Sequence, residues 1–318
     1  MIITRNTACY KFSLAESIID FAKQGKTEVT LDELATPYAS NICKHIIKSS
    51  RQATNASSTF LEACASYSKQ EITKEKLHAT TLKNGFTYVL DAFHNVNGGN
   101  LPLKFFDKAD KKLILTDELL KIANNNSDDL LSENEARWNL VETAWKLNVS
   151  SNLLRVRYDE LSELFVVDDA FKRKDITSAR AALNGYQKGK CFYCFDDITV
   201  SKTQENTCDV DHFFPYTLQP LMPEINLNGV WNLVLACPEC NRGTNGKFAK
   251  VPDIKYLERL HKRNEFLISS HHPLRETIIA QTGATEADRA AFFREMDSRA
   301  INLLIHRWNT VEKGERLF

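Results

Sequence analysis

The sequence predicts an α+β fold, mostly α-helical, in two parts: a helical N-terminal domain, and a C-terminal domain organised around cysteines and closed by a helical tail. Three observations predict it. Apolar residues recur at helical spacing through the first third of the chain and again after Asp253. A strand–turn–strand pattern interrupts them near residue 110. Two Cys-x-x-Cys pairs, Cys191–Cys194 and Cys237–Cys240, enclose a segment, Cys208–Pro215 (CDVDHFFP), too polar for an ordinary core strand. At 318 residues, 43% hydrophobic and 26% charged, the chain has ordinary soluble composition and length enough for two cores. It contains no run of about 18 apolar residues, and MIITRNTACYKF lacks an apolar leader with a small-residue cleavage site. A cytoplasmic protein with no membrane partner is expected.

Phe12, Ala15, Ile18, Ile19 and Ala22 mark one face of a first helix. Thr30-Leu31-Asp32-Glu33 is a capping-box signature, opening a second helix with Leu34, Tyr38, Ile42 and Ile46 inward. Leu82, Phe86, Val89, Leu90 and Phe93 suggest a third, stopped by Asn97-Gly98-Gly99. Leu103–Phe106 and Leu113–Thr116 then flank the polar turn Asp107–Lys111 as a hairpin. Three helices followed by a hairpin is the order of a winged helix-turn-helix; a plain helical recognition or scaffold domain fits the same pattern. Asn124–Asp129 (NNNSDD) reads as a linker. Ser132-x-x-Glu135 reads as a second capping box, ahead of Trp138, Val141 and Trp145 as packing residues. A helix over about Ser178–Gln187 leads past Gly189 into Cys191, and after Asp253 come helices over Ile254–Leu267 and about Glu286–Trp308. The expected domains are a recognition or partner-binding domain (1–123), a linker and connecting helix (124–170), and the cysteine-bearing domain with its C-terminal helices (171–318).

Formal net charge is zero, so global charge neither favours nor excludes a nucleic-acid partner. Its distribution is uneven: residues 117–169 hold twelve acidic and five basic residues, residues 171–190 one and six, and residues 241–263 two and seven. Phosphate binding needs such a local excess, although a charge run is often just a solvated face.

Eight cysteines without an export signal do not read as disulfides. Cys9, Cys43, Cys64 and Cys208 show no pairing pattern and read as small buried hydrophobes. Cys191, Cys194, Cys237 and Cys240 read as four thiolate ligands to one structural zinc, because each Cys-x-x-Cys forms a knuckle aiming both sulfurs the same way. A redox-active pair would want a thioredoxin-like strand–helix context, which neither has. The 42 residues between the pairs exceed the usual ribbon spacing and leave room for a functional segment. A zinc filled by four sulfurs has no open position, so chemistry must come from other residues. Asp211 is a hard oxygen ligand suited to Mg²⁺ or Mn²⁺, and His212 is a base titrating near neutrality. Together they suit phosphodiester hydrolysis: the histidine deprotonates a water and the ion neutralises charge on the phosphate. A second ion ligand must come from elsewhere.

The order Cys-x-x-Cys, DVDHFFP, NLVLACPECNRGTNGK resembles the HNH endonucleases of the ββα-metal superfamily, in their zinc-bearing four-cysteine branch. It is close to the HNH domain of the large RNA-guided CRISPR effector nucleases. The resemblance covers about Arg180–Pro252. It implies two antiparallel strands and a helix around one catalytic metal. His212 would be the general base, Asp211 a metal ligand, Asn232 the middle asparagine that braces the loop and orients the histidine, and Asn241 the second metal ligand, with Asp209 supporting the metal shell. The third motif position departs from histidine, since Asn241 stands there. Arg242, Lys247 and Lys250, expected at the start of the family's helix, would contact phosphate. The resemblance implies a metal-dependent DNA endonuclease that nicks or cleaves, in bacterial restriction or antiphage defence, with DNA and other defence proteins as partners. Two alternatives stay open: a non-catalytic zinc-stabilised nucleic-acid-binding or scaffold protein, and an RNA-cleaving nuclease or toxin.

Overall fold

The computed structural model describes residues 8–54, 58–96, 99–100, 103–146, 156–169, 172–200, 207–270 and 272–318. The fold is α+β and mostly helical, with small sheets, and the chain divides into two compact units, Met1–Ser151 and Asn152–Phe318.

The first unit runs α1 (Tyr10–Lys23), β1 (Glu28–Thr30), α2 (Leu31–Lys48), α3 (Thr59–Ser68), α4 (Lys74–Thr80), a π-helical turn (Thr81–Gly85), α5 (Val89–Ala92), β2 (Asn95–Val96), β3 (Gly99–Asn100), β4 (Phe106–Ala109), β5 (Lys112–Leu115) and α6 (Asp117–Lys146). The apolar face expected on α1 is buried, and α1 packs against α2 and α6. The Thr30 capping box forms: the Glu33 N–H donates to the Thr30 hydroxyl (3.2 Å), and the Glu33 carboxylate accepts from the Thr30 N–H (2.9 Å). The hairpin β4–β5 is part of a larger sheet, because β1 pairs antiparallel with β5 to give the order β1–β5–β4.

Three expectations for this region fail. The helix expected through Leu82–Phe93 breaks into the π turn and the short α5. There the Tyr38 hydroxyl donates to the Gly85 carbonyl (3.0 Å), competing with helical pairing at that point. The segment Asn124–Asp129 is not a linker, and Ser132 does not begin a helix, for both lie inside the 30-residue α6. No glycine or proline interrupts Asp117–Lys146, and each asparagine or serine costs a helix interior only about 0.5 kcal/mol. Against that, Leu119, Ala123, Trp138, Val141 and Trp145 all enter one core. The motif at Asn97-Gly98 lies outside the described residues.

The second unit runs β6 (Arg157–Asp159), β7 (Leu164–Asp169), β8 (Lys172–Ser178), α7 (Ala179–Gln187), β9 (Asp209–His212), β10 (Leu233–Ala236), α8 (Pro238–Arg242), β11 (Val251–Pro252), α9 (Ile254–Ser269), α10 (Arg275–Thr282), α11 (Glu286–Leu304) and β12 (Arg307–Trp308). Strands β6–β7–β8 form an antiparallel sheet in a stretch for which no strand was expected; the short run Phe165-Val166-Val167 is buried and strand-forming. The last helix stops at Leu304, not Trp308. Ile305 turns left-handed (φ 54°), and Arg307 and Trp308 pair parallel with β11. Trp308 is thereby buried, its indole N–H donating to the Asn245 carbonyl (2.7 Å). Among the described residues no helix is long and apolar enough to cross a membrane.

Candidate functional site

The two cysteine knuckles meet through α7. The Gln187 side chain both donates to the Leu235 carbonyl (2.7 Å) and accepts from the Leu235 N–H (2.8 Å), tying α7 to β10. The chain then reverses through Lys188 and Gly189, both left-handed (φ 51° and 73°), and the Phe192 N–H donates to the same Leu235 carbonyl (2.9 Å). The first knuckle is thus registered on the strand whose end carries the second. The Sγ atoms of Cys191, Cys194, Cys237 and Cys240 all lie within 4.8 Å of one another and are buried. Two sulfurs bound tetrahedrally at about 2.3 Å to one ion sit about 3.8 Å apart; Cys194 and Cys237 are 3.8 Å apart. Backbone N–H groups of Cys237 and Cys240 point at Cys191 Sγ (3.3 Å) and Cys237 Sγ (3.5 Å), donors suited to thiolate charge. This group could hold a metal such as zinc. Among the described residues it is the one cluster of three or more Cys, His, Asp or Glu with such geometry. The C-terminal segment closes over the first knuckle, with Lys313 and Gly314 N–H donating to the Cys194 carbonyl (2.7 and 3.1 Å). A Cβ at Gly314 would come 1.9 Å from the Phe195 carbonyl oxygen, so this approach requires glycine. Cys208 is buried outside the group, and its carbonyl accepts from Arg180 Nε (2.7 Å).

The segment between the knuckles forms β9, paired antiparallel with β10 so that Asp211 faces Val234 and His212 faces Leu233. Phe213 and Phe214 are fully buried, and Pro215 leads into a 3₁₀ turn. Asn232, also fully buried, clamps this exit. Its Oδ1 accepts from the Phe214 N–H (2.8 Å), and its Nδ2 donates to the carbonyls of Phe214 and Leu227 (2.9 Å each). Asn232 therefore braces the loop and does not hydrogen-bond the imidazole. Asn228 does: its Oδ1 lies 2.6 Å from His212 Nε2. An amide oxygen only accepts, so Nε2 carries the proton and Nδ1 is left as a base. Burial lowers the His212 pKa, against the pull of Asn228 and Asp211, which favours this neutral form. Gly229 allows the turn, since a Cβ there would lie 2.5 Å from the Trp231 ring and 2.8 Å from the Asn226 carbonyl.

Asp211, His212 and Asn241 line one open cleft of about 690 Å³, together with Glu160, Tyr216, Lys247 and Phe248. Asp211 is buried, accepting from the Tyr193 hydroxyl (2.6 Å) and paired with Lys247 Nζ (3.1 Å). Burial raises its pKa, partly offset by Lys247 and Tyr193. Asn241 Nδ2 donates to Asp209 (3.1 Å), which also pairs with exposed Arg242 (2.8 Å). Asp209 is thus tied to Asn241 and Arg242. Lys247 is buried, donating also to the His212 and Phe248 carbonyls (2.9 and 3.1 Å), so it braces the site from within and does not reach out to solvent. Lys250 is exposed. None of Arg242, Lys247 and Lys250 begins a long helix, because α8 ends at Arg242. His271 lies outside the described residues; buried His272 accepts the Leu274 N–H through Nδ1 (3.2 Å), ahead of α10.

Asn228, Tyr193 and Glu160 were not singled out by the sequence. Asn226–Gly229 (NLNG) marks a turn but not what the turn holds. Comparison with protein-family models, curated proteins and solved structures found no match for this chain.

Proposed function

We propose that the second unit is a metal-dependent endonuclease of HNH type, hydrolysing DNA phosphodiester bonds, with its cysteine group holding a structural zinc. One observation carries the reading: a histidine whose Nε2 is committed to Asn228, and whose Nδ1 remains a base, shares an open cleft with a buried aspartate and an asparagine. His212 takes a proton from a water at Nδ1. Asp211 and Asn241 would hold a divalent ion, which when bound supplies charge neutralisation for the phosphate and leaving oxygen. The donors suit one: the Asp211 carboxylate has lone pairs beyond its two partners, and Asn241 Oδ1 has no hydrogen bond among the described residues. Water and phosphate oxygens would complete the shell, as is usual for Mg²⁺. Asn232 and the zinc knuckles hold the two ends of the motif in register. Misplacement of about 1 Å can cost about 100-fold in rate.

For the first unit we propose recognition of DNA or of a partner protein. The hairpin β4–β5 continues a sheet begun between α1 and α2, as a wing would, while among the described residues five helices precede it where the winged-helix order has three. A bacterial restriction or antiphage role, alongside other defence proteins, rests on the resemblance alone.

One observation favours a second reading, a non-catalytic zinc-stabilised nucleic-acid-binding module. Lys247 already places an ammonium against Asp211, beside the position an ion would take. Incubating wild type and His212→Ala with supercoiled plasmid and Mg²⁺ or Mn²⁺ separates the two. Open-circle or linear product from wild type only supports the nuclease; intact plasmid with every metal, or equal cutting by both proteins, defeats it. A structured RNA in parallel tests the RNA-cleaving alternative.

A further inference from the structure

Phe248 is a residue that the fold of its own unit does not explain. Its φ is +45°, the left-handed region that bulky side chains rarely adopt, yet its side chain is not buried in return: the residue is 54% exposed. The backbone is held there from both sides. The Phe248 N–H donates to the Asn241 carbonyl (2.9 Å), and its carbonyl accepts from buried Lys247 (3.1 Å). A glycine would make both bonds without strain, and Gly243 and Gly246 stand close by in the same loop. The phenyl group therefore adds strain and exposed apolar surface, and among the described residues its ring stacks on no other. Strained positions of this kind concentrate at ligand-contacting sites.

Phe248 lines the same cleft as Asp211, His212 and Asn241. So does Tyr216, 40% exposed, whose ring centroid lies 5.4 Å from that of His212. The phosphate-handling groups are accordingly accompanied by two exposed aromatic rings. In a duplex, each base face is covered by its neighbour and offers an aromatic side chain nothing to stack on. An unpaired strand offers every base face, and such strands are held by aromatic platforms beside a phosphate track.

We propose that Phe248 and Tyr216 stack on nucleobases either side of the scissile phosphate, and that the substrate is an unpaired nucleic-acid strand or a locally opened segment. The inference rests on the nuclease reading for the phosphate position, but its test does not require cutting. In a His212→Ala background, fluorescence anisotropy would measure binding of a labelled 12-nucleotide DNA strand, the same strand in RNA, and the DNA duplex, at one salt concentration with Mg²⁺. At least one single strand should bind about tenfold more tightly than the duplex. Phe248→Ala should weaken that binding about tenfold, the size of one lost base–aromatic stack. Duplex binding should be unchanged, and Phe248→Trp should keep the affinity. Phe248→Gly should lose affinity equally while melting at or above the parent temperature, since glycine relieves the strain, so misfolding cannot imitate the result. Duplex binding as tight as the tighter of the two single strands, or a change below twofold in Phe248→Ala, overturns the proposal. Strong single-strand binding lost in Phe248→Ala, with no cutting of single strand or plasmid by the wild-type protein, would keep the stacking role and remove only the nuclease reading.

Discussion

Asn232→Ala is the substitution whose cost the structure defines best. It removes three hydrogen bonds at a fully buried position and leaves the Phe214 N–H, the Phe214 carbonyl and the Leu227 carbonyl without their partner. A hydrogen bond contributes about 1 kcal/mol net, and a buried group left dry costs about 1–3 kcal/mol. Some relaxation at the Leu227 end holds the total to about 3–5 kcal/mol. In a domain of this size that lowers the melting temperature by about 10 °C. Differential scanning calorimetry on the full chain, with Asn245→Ala as an exposed control, measures it. The loss should appear in one transition and leave a second, belonging to the first unit, in place. A shift below about 3 °C, or one matching the control, would refute Asn232 as the clamp. The same variant should lose nicking activity well below its melting point, because the loop it braces carries Asn228, which holds His212 Nε2.

His45 is buried between Glu135 (3.0 Å) and Glu142 (2.8 Å) and stacked on Trp138. Burial lowers its pKa, but the two carboxylates outweigh this and raise it to about 9. A raised histidine pKa stabilises the fold fully below about pH 6.5, and that contribution, at most about 3 kcal/mol, is lost as pH rises toward 9. The stability of the first unit against urea should fall as pH rises over that window, and His45→Gln should flatten the dependence; an unchanged slope would contradict the pairing. Elemental analysis should find about one zinc per chain, lost in Cys191→Ser or Cys237→Ser with unfolding of the second unit. A folded, zinc-free variant would end the staple reading. Lys247→Met leaves the Asp211 carboxylate buried without its counter-charge and should cost about 3–5 kcal/mol, with part recovered by adding Asp211→Asn. If it melts like the parent and only loses activity, Lys247 contacts substrate and does not brace the site.

How much of this was legible in the sequence depends on the range of each constraint. The Cys-x-x-Cys spacing is local chemistry: each knuckle needs only its own four residues, and the four sulfurs do converge within 4.8 Å. The Thr30 capping box is legible for the same reason, since both partners lie within one turn. At Ser132 the identical local signal misleads, because nothing local says that Leu119 and Ala123 already belong to the same helix and core as Trp138. Lys247 shows the limit most sharply. In a basic stretch a lysine reads as a phosphate contact, and only the chain's return through Gly246 carries its ammonium into a buried pocket against Asp211 and the His212 carbonyl. Asn228 is similar: it is a turn residue in sequence, and becomes the partner of His212 only because Asn232, four positions on, fastens the loop to Phe214. Motif chemistry thus reads from short range, while the tautomer and the counter-charge that decide whether it works are set by pairs 16 and 36 residues apart, His212–Asn228 and Asp211–Lys247.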